Sequence, residues 1–143
     1  MRLVMREALV SDAERICDLS IQLGYQASIS SIEQRVDRLS KDKDNVIFVA
    51  ILENFIVGWV HVFATIRVES GEFGEIGGLV VDEHYRGSGI GKLLVQKSLE
   101  WTKEMNLPSL RIRTNTTRIE THRFYENCGF NELKSQKVFG LKL

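Results

Sequence analysis

The sequence predicts a single α/β domain over residues 1–143, built as a mixed β-sheet with helices on both faces in the order βααβββαβαββ. Three observations carry that prediction. Apolar residues recur at helical spacing through 11–39, strand-like apolar runs crowd 46–81, and a strand, a glycine-rich loop and a helix follow one another across 78–105.

Val4 to Ala8 forms the first predicted strand. Ser11 then offers an N-cap with Glu14 three places on, and Ile16, Leu19 and Leu23 follow at helical spacing until Gly24 closes the segment. Tyr25 to Ser30 is loop-like, and Ser31 to Leu39 makes a second helix with Ile32, Val36 and Leu39 on one side. After the polar turn at Lys41 to Asn45 the pattern changes to strands. Val46 to Leu52 and Phe55 to Ile66 flank Glu53-Asn54, a two-residue hairpin turn, and Phe73 to Val81 is the next strand. Gly77-Gly78 inside it weakens the strand unless it marks a bulge or a close approach by a ligand. The helix from Gly89 to Met105 places Ile90, Leu94, Trp101 and Met105 on one face. Pro108 precedes a strand from Ser109 to Thr114 that alternates Leu110 and Ile112 with Arg111 and Arg113. Ile119 to Asn127 is the last helix, and short strands at Phe130 to Leu133 and Val138 to Leu141 finish the chain.

Composition narrows the function. Nineteen basic and nineteen acidic residues cancel, so no overall field recruits nucleic acid or a membrane surface. No apolar run approaches the roughly 20 residues that span a bilayer, and the N-terminus lacks the apolar stretch of a signal peptide. Cys17 and Cys128 have no metal-ligand spacing, which leaves a reduced, cytoplasmic setting and no metal as the expectation.

The glycine loop is the chemical signal. A P-loop fails because Arg86 stands where its first Gly belongs and Leu93 where its hydroxyl belongs; the dinucleotide fingerprint fails because Lys92 replaces its last Gly. What remains is Arg86-Gly87-Ser88-Gly89-Ile90-Gly91 directly after a hydrophobic strand, with a helix start that suits a phosphorylated ligand. With Thr121 to Phe130, which contains Phe124-Tyr125-Glu126-Asn127-Cys128-Gly129-Phe130, the chain resembles the GCN5-related N-acetyltransferase (GNAT) superfamily, and its small-molecule branch in particular.

The resemblance implies acetyl-CoA as co-substrate and a small-molecule amine, aminoglycoside-like or aminoalkylphosphonate-like, as acceptor. It implies that amides from Gly87 to Lys92, including Ser88, Gly89, Ile90 and Gly91, face the pyrophosphate, that Arg86 and Lys92 add charge, and that the backbone of Leu79, Val80 and Val81 pairs with the pantetheine arm. It also places Glu75 where some relatives keep a catalytic base and Tyr125 near the coenzyme sulfur as an acid, and it suggests a homodimer. Each residue has a plainer reading: Glu75 as a strand-edge acid, Tyr125 as a packed aromatic, Leu79 to Val81 as core. Asn115 either hydrogen-bonds pantetheine or turns the chain. Tyr25 and His61 are candidates for the acceptor side, and Arg111, Arg113, Arg118 and Arg123 either bind an acidic acceptor or face solvent. Peptide acetylation and a non-catalytic acetyl-CoA sensor are the competing functions.

Overall fold

Glu53 and Asn54 both adopt positive φ, 50° and 65°, which is the backbone a tight two-residue hairpin needs. That turn joins β2 (Asn45–Leu52) to β3 (Phe55–Arg67), the centre of a five-stranded sheet in the order β1-β2-β3-β4-β5. The computed structural model describes residues 2–143, in two compact units, one ending at Ile112 and the other Arg113–Leu143.

In the first unit, β1 (Leu3–Glu7), β2, β3 and β4 (Gly71–Val81) pair antiparallel, and β5 (Leu110–Ile112) joins β4 in parallel. Two helices, α1 (Ala13–Gln22) and α2 (Ile29–Ser40), cover one face. Ile16, Leu19, Ile32 and Val36 pack there with Val49 and Val80, and Ile47, Ile51 and Trp59 close around them. The other face carries α3 (Ile90–Glu104). A Cβ on Gly58 would lie 3.1 Å from Leu94, and one on Gly74 would lie 3.0 Å from Thr102, so small residues let this helix sit close. The predicted helices on both faces are therefore present.

Three local expectations are corrected. Ser11 does not cap α1; it lies in a short 3-10 turn, where Asp12 instead accepts the Leu9 N–H at 2.7 Å and pairs with Arg6 at 2.7 and 3.0 Å. A carboxylate held by a guanidinium is a stronger acceptor than a hydroxyl, and Arg6 keeps the Asp12 carboxyl below its ordinary range. The buried stripe of α3 runs through Ile90, Leu94, Val95, Ser98 and Thr102 rather than Trp101 and Met105. Ser98 and Thr102 satisfy their hydroxyls on the carbonyls four residues back, which frees them to be buried.

In the second unit, α4 (Ile119–Asn127) ends at Gly129, φ +98°, with the Phe130 N–H bonded to the Tyr125 carbonyl. The two strands expected at Phe130 to Leu133 and Val138 to Leu141 do not form. A strand exists only beside a partner, and here Leu133, Val138, Phe139 and Leu141 stand exposed without a ladder.

Candidate functional site

The site begins where the sheet opens. The β4–β5 ladder pairs Gly74 with Leu110, Glu75 with Arg111 and Ile76 with Ile112, then stops. Beyond it, Gly77 to Val81 have no strand on that side among the described residues. On the β3 side the register shifts between His61 and Val62: His61 faces Gly78 while Val62 faces Ile76, so Gly77 is the extra residue of a bulge. Glycine is required here by contact. A Cβ on Gly77 would come 2.9 Å from the His61 ring, and one on Gly78 would come 2.8 Å from Trp59. An unpaired strand edge offers N–H and C=O groups to an extended ligand arm.

At the end of β4 the chain turns through Asp82 to Tyr85 into the glycine loop. Gly87 and Gly89 take φ of +81° and +88°, with nothing within 4 Å of either Cβ position. Their role is conformational, and the space before the loop is open. The first helical bond of α3 is Leu93 N–H to the Gly89 carbonyl at 3.2 Å, so the amides of Ile90, Gly91 and Lys92 precede it. These amides and the positive end of the helix dipole suit a diphosphate. Lys92 and Arg86 are exposed at the rim, with Arg86 Nε donating to the Val81 carbonyl at 3.3 Å, and the Ser88 hydroxyl bonds the Tyr85 carbonyl. The residues present thus fit the pyrophosphate and extended arm of coenzyme A.

A clamp below the loop was not legible beforehand. Asp82, 4% exposed, accepts the His84 N–H at 2.9 Å and pairs with the Arg15 guanidinium. Arg15 also donates to the Ile56 carbonyl at 2.8 Å and lies 4.0 Å from the centroid of the Phe55 ring. Burial works to raise the Asp82 carboxyl, but these partners outweigh it and hold it below the ordinary range. The clamp ties the outlet of β4 to α1. Its one signal in the sequence is a lone Arg immediately before the apolar position Ile16.

Glu75 is buried on the face of the sheet that holds Phe63, its partner on β3. His61, two residues along β3, is half-buried; its Nε2 lies 2.8 Å from Asn45 Oδ1 and its ring 5.4 Å from Phe63, and burial lowers its pKa. Leu79 and Val81 are half-buried and Val80 is buried in the core, so both expected roles of this segment are compatible. Tyr25 is 64% exposed in the α1–α2 loop and makes no packed wall.

In the second unit, Tyr125 is buried, edge-on to Phe124 and Phe130 at 5.0 and 5.6 Å. Burial, with a smaller push from Cys128, raises its hydroxyl to about 12. Asn115 turns the chain: its Oδ1 accepts from the Thr117 N–H and hydroxyl, and its carbonyl lies 2.8 Å from His122 Nε2. Among the described residues no three metal-binding side chains cluster, and no helix is long and apolar enough to cross a membrane.

Comparison with known proteins bears on the family and the fold. The family model of the Acetyltransferase (GNAT) family matches residues 12–130. An N-acetylaspartate synthetase from Xenopus tropicalis is 31% identical over 113 residues, which are 79% of this chain and 40% of that protein. The chain thus spans less than half the length of that relative. An aminoglycoside N(6')-acetyltransferase type 1 from Stenotrophomonas maltophilia is 24% identical over 97% of this chain and 93% of its own length. An aminoglycoside N-acetyltransferase solved in complex with CoA superposes with a TM-score of 0.89 at 14% identity, covering 99% of this chain and 96% of its own. At that identity the likeness is one of fold.

Proposed function

The chain belongs to the Acetyltransferase (GNAT) family, and on that premise we propose that it transfers the acetyl group of acetyl-CoA to a primary amine of a small molecule by direct attack in a ternary complex. The observation that carries this reading is the adjacency of two features. The opened edge of β4 leads through the short turn from Asp82 to Tyr85 into a glycine loop whose helix start presents free amides.

Acetyl-CoA supplies an activated thioester, so the residues have mainly to position, deprotonate and stabilise. The amides from Gly87 to Lys92, with Arg86 and Lys92, hold the diphosphate. The Leu79 to Val81 backbone aligns the arm, and one of its N–H groups polarises the acetyl carbonyl. Glu75 is the base: an alkylamine of pKa near 10 is neutral in about one molecule per thousand at pH 7, so the amine must lose a proton to attack, and a carboxylate working through water takes it up. Its burial on the strand that carries the opened edge supports this role. Tyr125, kept protonated, donates to the departing sulfur, and Asn115 steadies the arm. His61, on β3, borders the acceptor. Small-molecule acceptors are favoured over peptides because two relatives carry aspartate and aminoglycoside in their names.

The test is thiol release from acetyl-CoA across small amines and peptides, with cofactor affinity measured by titration calorimetry. Saturable binding, turnover of at least one small amine and a roughly hundredfold lower rate in Glu75→Gln are expected. Tight binding without turnover of any amine would convert the protein to a sensor, and faster turnover of peptides would reassign the acceptor.

A further inference from the structure

The face of the sheet that carries Glu75 also carries an arginine in an unusual setting. Arg111 lies in register beside Glu75 on β5. Its guanidinium carbon is 3.9 Å from the centroid of the Phe73 ring, and Phe73 is 1% exposed. Its Nε is buried and has no hydrogen-bond partner among the described residues. Arg67, at the end of β3, approaches the same ring at 5.7 Å. Glu72, beside Phe73 in sequence, alternates to the opposite side of the strand.

Stacking on a ring steadies a cation without using any of its N–H donors. A buried donor left unpaired is unfavourable, and such an arrangement is retained where a ligand brings the missing acceptor. The planar fork of a guanidinium matches an oxyacid through two parallel bonds. We propose that Arg111, backed by Arg67, holds a carboxylate, phosphate or phosphonate carried by the acceptor itself. The substrate is then a compact amino acid or aminophosphonate rather than a polycationic amine. This deepens the acetyl-transfer reading and rests on it.

The layout along β4 sets the size of the acceptor. Leu79 to Val81 would hold the thioester and Glu75 would serve the amine through water; Arg111 starts in register with Glu75, and its guanidinium reaches the Phe73 ring, two residues further from the loop. Two residues of strand span roughly 7 Å. An amine and an oxyacid separated by one to three carbons fit that interval.

The experiment compares matched acceptors by thiol release: β-alanine against 3-aminopropanamide, and 2-aminoethylphosphonate against ethylamine. The anionic member of at least one pair is expected to have a kcat/KM at least tenfold higher, and the two pairs tell which oxyacid is taken. Arg111→Gln should lower that ratio at least tenfold, through the KM of the anionic member, and Arg111→Lys should keep part of it. A wild-type preference for the neutral members overturns the proposal, even if Arg111→Gln fails to fold. So does an Arg111→Gln variant that lowers both members equally. Either result leaves acetyl transfer standing, whereas no turnover of any amine despite acetyl-CoA binding overturns both.

Discussion

Tyr125→Phe removes one oxygen and keeps the ring edge-on to Phe124 and Phe130. With its hydroxyl raised to about 12, Tyr125 is ionised in about one molecule per hundred thousand at pH 7. A thiol leaves as a thiolate of pKa near 8.5, roughly 3.5 units below that phenol. Handing the proton over completely would therefore be uphill by roughly 5 kcal/mol. Tyr125 is better suited to donating a hydrogen bond to the developing thiolate than to acting as a full acid. A hydrogen bond to a charged group is worth about 1.5–3 kcal/mol, which corresponds to a loss of roughly tenfold to 150-fold in kcat. The assay is the initial rate of thiol release at saturating substrates from pH 6 to 9.5, where no limb belonging to Tyr125 is expected. Denaturant unfolding supplies the control. The folded state holds this proton above its unfolded value, so the stabilisation is intact below about pH 10 and is lost as pH rises through about 12, by roughly 3 kcal/mol. Tyr125→Phe should lack that loss. A drop in kcat beyond 10⁴ with a limb near pH 9 would mean complete proton transfer from an ordinary phenol, and an unchanged kcat would mean that the hydroxyl does not reach the sulfur.

Two further substitutions probe the scaffold of the site. Arg15→Ala leaves the buried Asp82 carboxylate without its cation, so the protein should lose about 3 kcal/mol in denaturant unfolding and bind acetyl-CoA more weakly by calorimetry. An unchanged affinity would show that the clamp stabilises the fold without positioning the loop. Gly78→Ala brings a Cβ to 2.8 and 3.0 Å from two carbons of the Trp59 ring, which must then shift. A stability loss of about 1–3 kcal/mol is expected, with a higher KM for acetyl-CoA because the bulge carries the opened edge.

The sheet and helices were legible because their signals are local. The Glu53-Asn54 turn fixed its own hairpin, and α4 begins and ends where the spacing placed it, at Ile119 and Asn127. Misreadings arose where tertiary contact outweighs propensity. Ser98 and Thr102 look polar, yet they bury themselves by bonding to their own helix and leave Trp101 and Met105 at the edge of the packed stripe. The C-terminal strands failed for a similar reason. Their alternation is strand-like, but a strand is a property of a pair, and no pattern within 130–143 supplies the second member.

The site divides along the same line. Gly77-Gly78 announced a bulge because glycine in a strand interior is unfavourable unless something nearby needs the room; the His61 and Trp59 rings occupy that room. The loop glycines announced positive φ for the same kind of reason. Charged side chains gave no such signal. Arg15 and Arg111 look like any other arginine in the chain, and their distinction lies in what folding brings against them: a buried carboxylate 67 residues away in one case, a buried ring 38 residues away in the other. Steric necessity is written locally as glycine, whereas electrostatic pairing appears only once strands distant in sequence lie side by side. The turn of the glycine loop, made of backbone, could therefore be read from a hexapeptide. The side-chain cluster of β3, β4 and β5 proposed for the acceptor could not.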